Sequence, residues 1–187
     1  MVLLDRYLPE FDFKERHQHD IPASQSEVMA QVLAYRPEND VFFRRMIGLR
    51  EIPMRVLGRA SAGAPPNPDP FGLENFTLLE QSGADEVAFG LVGKFWRLDY
   101  GLVQLKDGWA FQSIDAPGAA KLVLGFATEP LADDLTRLLT ETRVCCPDRA
   151  TLMKFAPYWF LIRPVSGMIR QRMLRSIGAN TLTRVHA

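Results

Sequence analysis

Residues 148–187 constrain the fold more than any other part of this chain, because they read as one long, amphipathic, basic helix. Leu152, Phe155, Trp159, Ile162, Ile169, Met173 and Ile177 recur at steps of three, four or seven, the spacing of a core-facing helical stripe. Each large side chain buried from that stripe contributes roughly 1.5–3 kcal/mol, so the face is committed to a core. Arg149, Arg163 and Arg170 fall seven or fourteen apart and share another face. Asp148 follows Pro147 and can cap the first turn, since its carboxylate accepts free N–H groups there. Pro157 and Pro164 each remove a backbone donor and crowd the preceding turn. Two readings stay open: they kink or break the helix, or Pro157 opens the main helix at its first position. From Arg149 onward there are seven Lys or Arg and no Asp or Glu. Part of that bias is ordinary complementarity to the negative end of a helix.

The segments before this helix are mostly strand-like. Residues 11–21 alternate, with Phe11, Phe13, Glu15, His17, His19 and Ile21 on one face, and Pro22 ends the run. Ser24 with Glu27 forms a capping box for a helix striped by Val28, Val32 and Tyr35. Beyond Pro37 a second helix is expected, capped by Asn39 or Asp40 and lined by Phe42, Met46 and Leu49; Pro53 starts a further short turn that Gly58 stops. Residues 59–70, rich in Ala, Gly and Pro, read as a loop within one domain. Strands are expected over 76–81 and 86–97, joined at Ser82-Gly83-Ala84-Asp85. On the second, Val87, Phe89, Leu91 and Phe95 face one way, and Gly93 among them marks a bulge or a close approach. Residues 101–105 and 109–114 are ambiguous, the latter between strand and helix. Residues 120–128 and 135–145 read as strands joined by a polar loop with Asp133 and Asp134.

This order gives an α+β chain: one strand, two short helices, five or six further strands, then the long helix. Short connections between consecutive strands imply an antiparallel sheet with helices on one face. The 187 residues suffice for one domain with a real core, and the expected domain spans 1–187.

Composition narrows the function classes. Hydrophobic content of 47% and charged content of 24% are those of a soluble globular protein. The formal net charge is zero, so no nucleic-acid partner is expected. Asp5 and Arg6 interrupt the apolar N-terminus, which does not read as a signal peptide. Residues 155–169 are the most apolar window, yet they contain Arg163 and two prolines and are too short to span a bilayer. No stable membrane insertion is expected, and a cytoplasmic location follows. Cys145 and Cys146 are the two cysteines; adjacent cysteines rarely bridge without strain, and a packing role is expected.

Several stretches together resemble the helix-grip proteins of the START-like, polyketide cyclase/dehydrase and lipid transport (SRPBCC) superfamily. They are Gly93-Lys94-Phe95-Trp96-Arg97, Thr140-Glu141-Thr142-Arg143-Val144, and Tyr158-Trp159 followed by Ile162-Arg163-Pro164 and Ser166-Gly167. The first strand running into Ile21-Pro22-Ala23 also fits, and the order of elements matches over nearly the whole chain. The motifs are similar to those of a bacterial branch with no assigned reaction. The resemblance implies a helix-grip fold, with a curved antiparallel sheet of about six or seven strands wrapped on the C-terminal helix. It also implies a deep cavity between the two. Members bind lipids, steroids or polyketides, and a few catalyse cyclisation or dehydration. No catalytic residue carries over, and no cofactor is implied.

The candidate chemistry lies in few residues. Glu15, His17 and His19 alternate on one strand face, where a carboxylate and imidazoles can act as acid and base or hold a metal. A metal needs a further ligand from another element, and the sequence marks none, so no metal is expected. The residues can instead contact a cavity ligand. A third reading is structural, because the resembling fold pairs first and last strands, allowing Glu15–Arg143 and Arg16–Glu141 ladders. Arg97 after Trp96 can anchor an anionic head group at a pocket rim or snorkel to solvent. Phe89, Glu141, Tyr158 and Trp159 are the remaining candidates for lining a cavity, the aromatics being equally readable as plain core. The loop 59–70 reads as a lid or as a plain surface loop. The basic tail reads as a solvated face; contact with an anionic membrane would require apolar side chains to point outward.

The leading expectation is binding of a small hydrophobic or amphipathic molecule, lipid- or polyketide-like, between the sheet and the last helix. The alternatives are a cyclase or dehydratase using Glu15 and His17, or a protein-interaction module without ligand. Sequence says nothing of ligand identity or oligomeric state.

Overall fold

The computed structural model describes residues 1–36, 75–97 and 99–185. The second short helix, the turn after Pro53 and the loop 59–70 fall outside them. The described elements are α1 (Val2–Tyr7), β1 (Phe13–Ile21), α2 (Gln25–Ala34), β2 (Thr77–Ser82), β3 (Glu86–Gly93), α3 (Gly108–Ser113), β4 (Ala120–Ala132), β5 (Leu135–Cys145) and α4 (Arg149–Val185). The strands form one antiparallel sheet in the order β1-β5-β4-β3-β2. With α4 packed along its face, this is a helix-grip fold.

Sequence chemistry explains most of the boundaries. The β2–β3 turn closes through Asp85 N–H donating to Ser82 O at 2.9 Å, with Gly83 supplying the left-handed backbone (φ 51°). Ser24 opens α2 as expected: its N–H donates to the Glu27 carboxylate at 3.0 Å. The pairing of β4 with β5 shifts register between Pro130 and Ala132, where the proline has no N–H for the ladder. The chain's first and last strands are neighbours, β1 with β5.

The described residues form five strands, where six or seven are expected. Residues 101–105 contribute one isolated bridge, Val103 to Val92. Residues 108–113 are helical, because Asp107 accepts the Ala110 N–H at 2.8 Å and so caps α3. Strand β3 also stops at Gly93 and does not reach Arg97. Lys94 N–H donates to Tyr100 O at 2.7 Å, which brings Tyr100 back over the strand end. The close approach expected at Gly93 is that carbonyl: a Cβ there would lie 2.8 Å from Tyr100 O.

Helices cover both sheet faces, not one. Alternation along each strand sends Val87, Leu91, Leu124, Leu138 and Val144 to the face of α2 and α4, where Phe155, Trp159, Ile162, Met173 and Ile177 meet them. Ala88, Val92 and Val123 point the other way and pack with Leu3, Leu4 and Leu8 at the N-terminus and Phe111 of α3. The second layer went unread because α1 has six residues, too few to show a helical period.

Helix α4 is continuous over 37 residues, about 55 Å at 1.5 Å per residue. Asp148 caps it, accepting the Thr151 N–H at 2.7 Å and its hydroxyl at 3.0 Å. Pro157 therefore does not open the helix, and neither proline breaks it. Both lie on the exposed face, where water can take up the carbonyls that lose an N–H partner.

Candidate functional site

The alternation of β1 puts Glu15 and His17 on the sheet face that α4 covers. Their register partners on β5 are Thr142 and Thr140. Glu15 Oε1 and His17 Nε2 are 2.9 Å apart, with side-chain exposures of 10% and 17%. Such a pair, largely removed from water, presents a polar end to an otherwise apolar interior. Across from His17, the Thr140 hydroxyl is buried and has no hydrogen-bond partner among the described residues.

Two glycines bring the helix down onto this strand. A Cβ on Gly167 would lie 3.2 Å from Glu15 Oε1 and 3.5 Å from His17 Cε1. A Cβ on Gly178 would lie 3.3 Å from Ile21 and 3.4 Å from His19. Eleven helical residues rise about 16 Å, and the four strand residues between the two contacts span about 13 Å, so helix and strand run side by side. Close packing here needs no side chain at either helix position.

Next to the pair lies a cavity of about 50 Å³. Glu15, Thr142, Ser166 and Arg170 line its polar side; Phe95, Phe155, Tyr158 and Trp159 are among its apolar walls. Liquid water occupies about 30 Å³ per molecule, so this space holds one or two waters. The aromatic rings occupy the rest: Phe155 stacks within 5.7 Å of Tyr158 and 5.9 Å of Trp159, and meets Phe95 at 6.3 Å. A second, shallower groove of about 260 Å³ lies at the far strand ends, among Arg16, Gln25, Glu86 and Glu129, and contains none of these groups.

The other sequence candidates are dispersed. Tyr158 and Trp159 border the cavity. Trp96 packs edge-on to Phe155 at 6.1 Å, and Phe89 packs against Phe126 at 6.4 Å, farther along the sheet. Arg97 is exposed and pairs with Asp99 at 3.0 Å, so it takes the solvent reading. Glu141 does not reach the cavity. It lies on the opposite sheet face, buried, where Arg143 Nε donates to it at 2.7 Å and Lys14 Nζ stands 3.3 Å away. The Glu15–Arg143 ladder also fails, because odd positions of β1 and β5 point to opposite faces: Glu15 sits across from Thr142, and Arg143 across from Lys14.

Arg143 serves the N-terminus. Its Nη1 meets Asp5 at 2.7 Å and donates to Leu8 O at 3.2 Å, and its guanidinium stacks on Phe11 at 4.8 Å. Burial works against its charge, but the hydrogen bonds with Glu141 and Asp5 hold its pKa above the ordinary value.

Arg170 and Thr140 were missed. Sequence reading put Arg170 with the wet arginines because it lies seven residues from Arg163. Each heptad drifts about 20° around a straight helix. That drift over three heptads, about 60°, turns Arg170 away from Arg149 and towards the cavity. No sequence signal marked Thr140 within the Thr140-Glu141-Thr142 run, since threonine is at home in any strand.

No family model matches the chain, and no curated protein does. Solved structures do. The Zhui aromatase/cyclase from Streptomyces sp. R1128 is 13% identical over 92% of this chain and 95% of its own, with a TM-score of 0.35. TTHA0849 from Thermus thermophilus is 9% identical over 92% and 99%, with a TM-score of 0.32. The di-domain ARO/CYC BexL from the BE-7585A biosynthetic pathway is 15% identical over 90% of this chain and 46% of its own, with a TM-score of 0.33. At these identities no residue's role passes from them to this chain.

Proposed function

We propose that the chain binds a small amphipathic molecule between its sheet and α4. Its polar end meets Glu15, His17 and Arg170, and its apolar part lies against Phe155, Tyr158 and Trp159. The observation that carries this reading is the Glu15–His17 pair, 2.9 Å apart and largely buried beside an aromatic-walled cavity. A polar pair in such a place costs solvation that a hydrogen-bonding guest restores. A guest larger than a water molecule enters only when Tyr158 or Trp159 turns aside, so binding is accompanied by a change in their environment.

Native mass spectrometry of freshly purified protein tests this reading, looking for a copurifying small molecule. Glu15→Gln and His17→Phe should reduce its occupancy several-fold while the protein stays folded. A wild-type spectrum with protein alone, together with unchanged tryptophan fluorescence across a panel of aromatic and fatty acids, would count against it.

A second reading is favoured by the same hydrogen bond. A carboxylate that orients an imidazole is a general acid–base pair, suited to the proton transfers of cyclisation or dehydration. Here His17→Gln should retain the ligand and abolish turnover. Equal turnover by wild type and variant would remove His17 from the chemistry, and no turnover by wild type would leave binding as the sole role.

A further inference from the structure

The outer face of α4 carries an apolar ridge that no function above uses. Met153 is 76% exposed, Phe160 65%, Leu161 55% and Met168 47%. Pro157 and Pro164 are exposed between them. At 100° per residue these six positions fall within an arc of about 100°, and they extend about 22 Å along the helix. They lie opposite the buried stripe of Phe155, Trp159, Ile162, Ile169 and Met173. Exposed Lys154, Arg163 and Arg175 accompany them, and α4 contains no acidic residue.

We propose that this face of α4 docks on an anionic lipid surface, with the ridge in the headgroup–acyl boundary and the cations against the headgroups. Three observations select that occupant. An isologous pairing of two copies would bring one cation-rich face against another, which is unfavourable. The ridge is convex, and a bilayer accepts projecting side chains without matching holes, whereas a protein partner must supply them. No helix among the described residues is long and apolar enough to cross a membrane, which fits a helix that lies on the surface. The inference does not rest on the ligand reading, since the cavity uses the opposite side of the helix.

Vesicle flotation of the full chain tests it, comparing phosphatidylcholine alone with phosphatidylcholine containing about 30% phosphatidylserine. Wild type should float with the anionic vesicles, less so in about 0.5 M salt. The double variant Leu161→Ser/Met168→Ser should bind at least about tenfold more weakly, as two buried apolar side chains are lost. Lys154→Gln/Arg175→Gln should reduce the preference for anionic vesicles. Both variants should melt as wild type does, because the changed residues are exposed. Failure of wild type to float, or equal flotation by wild type and Leu161→Ser/Met168→Ser, would overturn the proposal. So would a dimer in sedimentation analysis that this variant abolishes, without vesicle binding; that result would assign the ridge to self-association.

Discussion

Gly167 of α4 stands directly over Glu15 of β1, so near that a Cβ would come within 3.2 Å of the carboxylate. The missing side chain at one position sets how closely the helix approaches the polar pair on the other. Gly167→Val should therefore destabilise the fold by about 1–3 kcal/mol through overpacking. Gly167→Ala should lie near neutral, because its gain of up to about 1 kcal/mol in helix propensity offsets the tight contact. Chemical denaturation of both variants measures the difference.

Glu141 and Arg143 are partners on the face away from the cavity, with side-chain exposures of 3% and 7%. Removing one leaves the other charge buried without its main partner. Glu141→Ala should cost about 3 kcal/mol. The double change Glu141→Leu/Arg143→Met should recover part of that loss, since packed apolar side chains can replace a buried pair. Ligand occupancy should be the same in the double variant as in wild type, which separates this pair from the cavity.

Acid should weaken the fold through its capping and paired carboxylates. Hydrogen bonds from Thr151 hold the Asp148 carboxyl below its ordinary 3.8, and Arg137 does the same for Asp20. A depressed folded pKa gives stability that is fully present above the unfolded value and is lost as pH falls through the folded one. Thermal midpoints should thus be level above about pH 5 and fall below about pH 4. Asp148→Asn should show a smaller fall over that range, because its cap does not titrate.

Cys146 should be nearly inert. Burial first, then Asp12, Cys145 and Asp148, push its thiol up to about 12. Against the ordinary 9.0, that leaves roughly a thousandth of the thiolate at mildly alkaline pH. Iodoacetamide at such a pH should label Cys146 far more slowly in the folded protein than after denaturation, as read by peptide mass spectrometry. Equal rates would show that the thiol is not buried.

Local chemistry made much of the fold legible. The period of Phe155, Trp159, Ile162 and Met173 specifies a helix with one committed face, and Asp148 and Ser24 mark helix starts by their capping chemistry. Alternation from Phe13 to Ile21 puts Glu15 and His17 on one side of a strand. These are short-range properties, set by bonding geometry within a few residues. The cavity reading of Glu141 fails while its place across from Arg16 holds, because the face a strand residue takes depends on the register with its neighbour. Between the two readings of Arg97, pocket rim or solvent, the tertiary structure decides for solvent, because the chain turns at Lys94 through a contact with Tyr100.

The sequence by itself therefore determined the longer described elements, their order and the faces that must be buried, but not the six-residue α1 or the second layer it builds. Only the tertiary structure decided which elements meet. It laid α4 along β1 through Gly167 and Gly178, brought Arg170 to the same cavity as Glu15, and turned Glu141 to the opposite face. It also left Met153, Phe160, Leu161 and Met168 outside. The physical reason is that burial of an apolar face is demanded by hydrophobicity alone, whereas the partner that buries it is chosen by register, close approach and the space left between packed side chains.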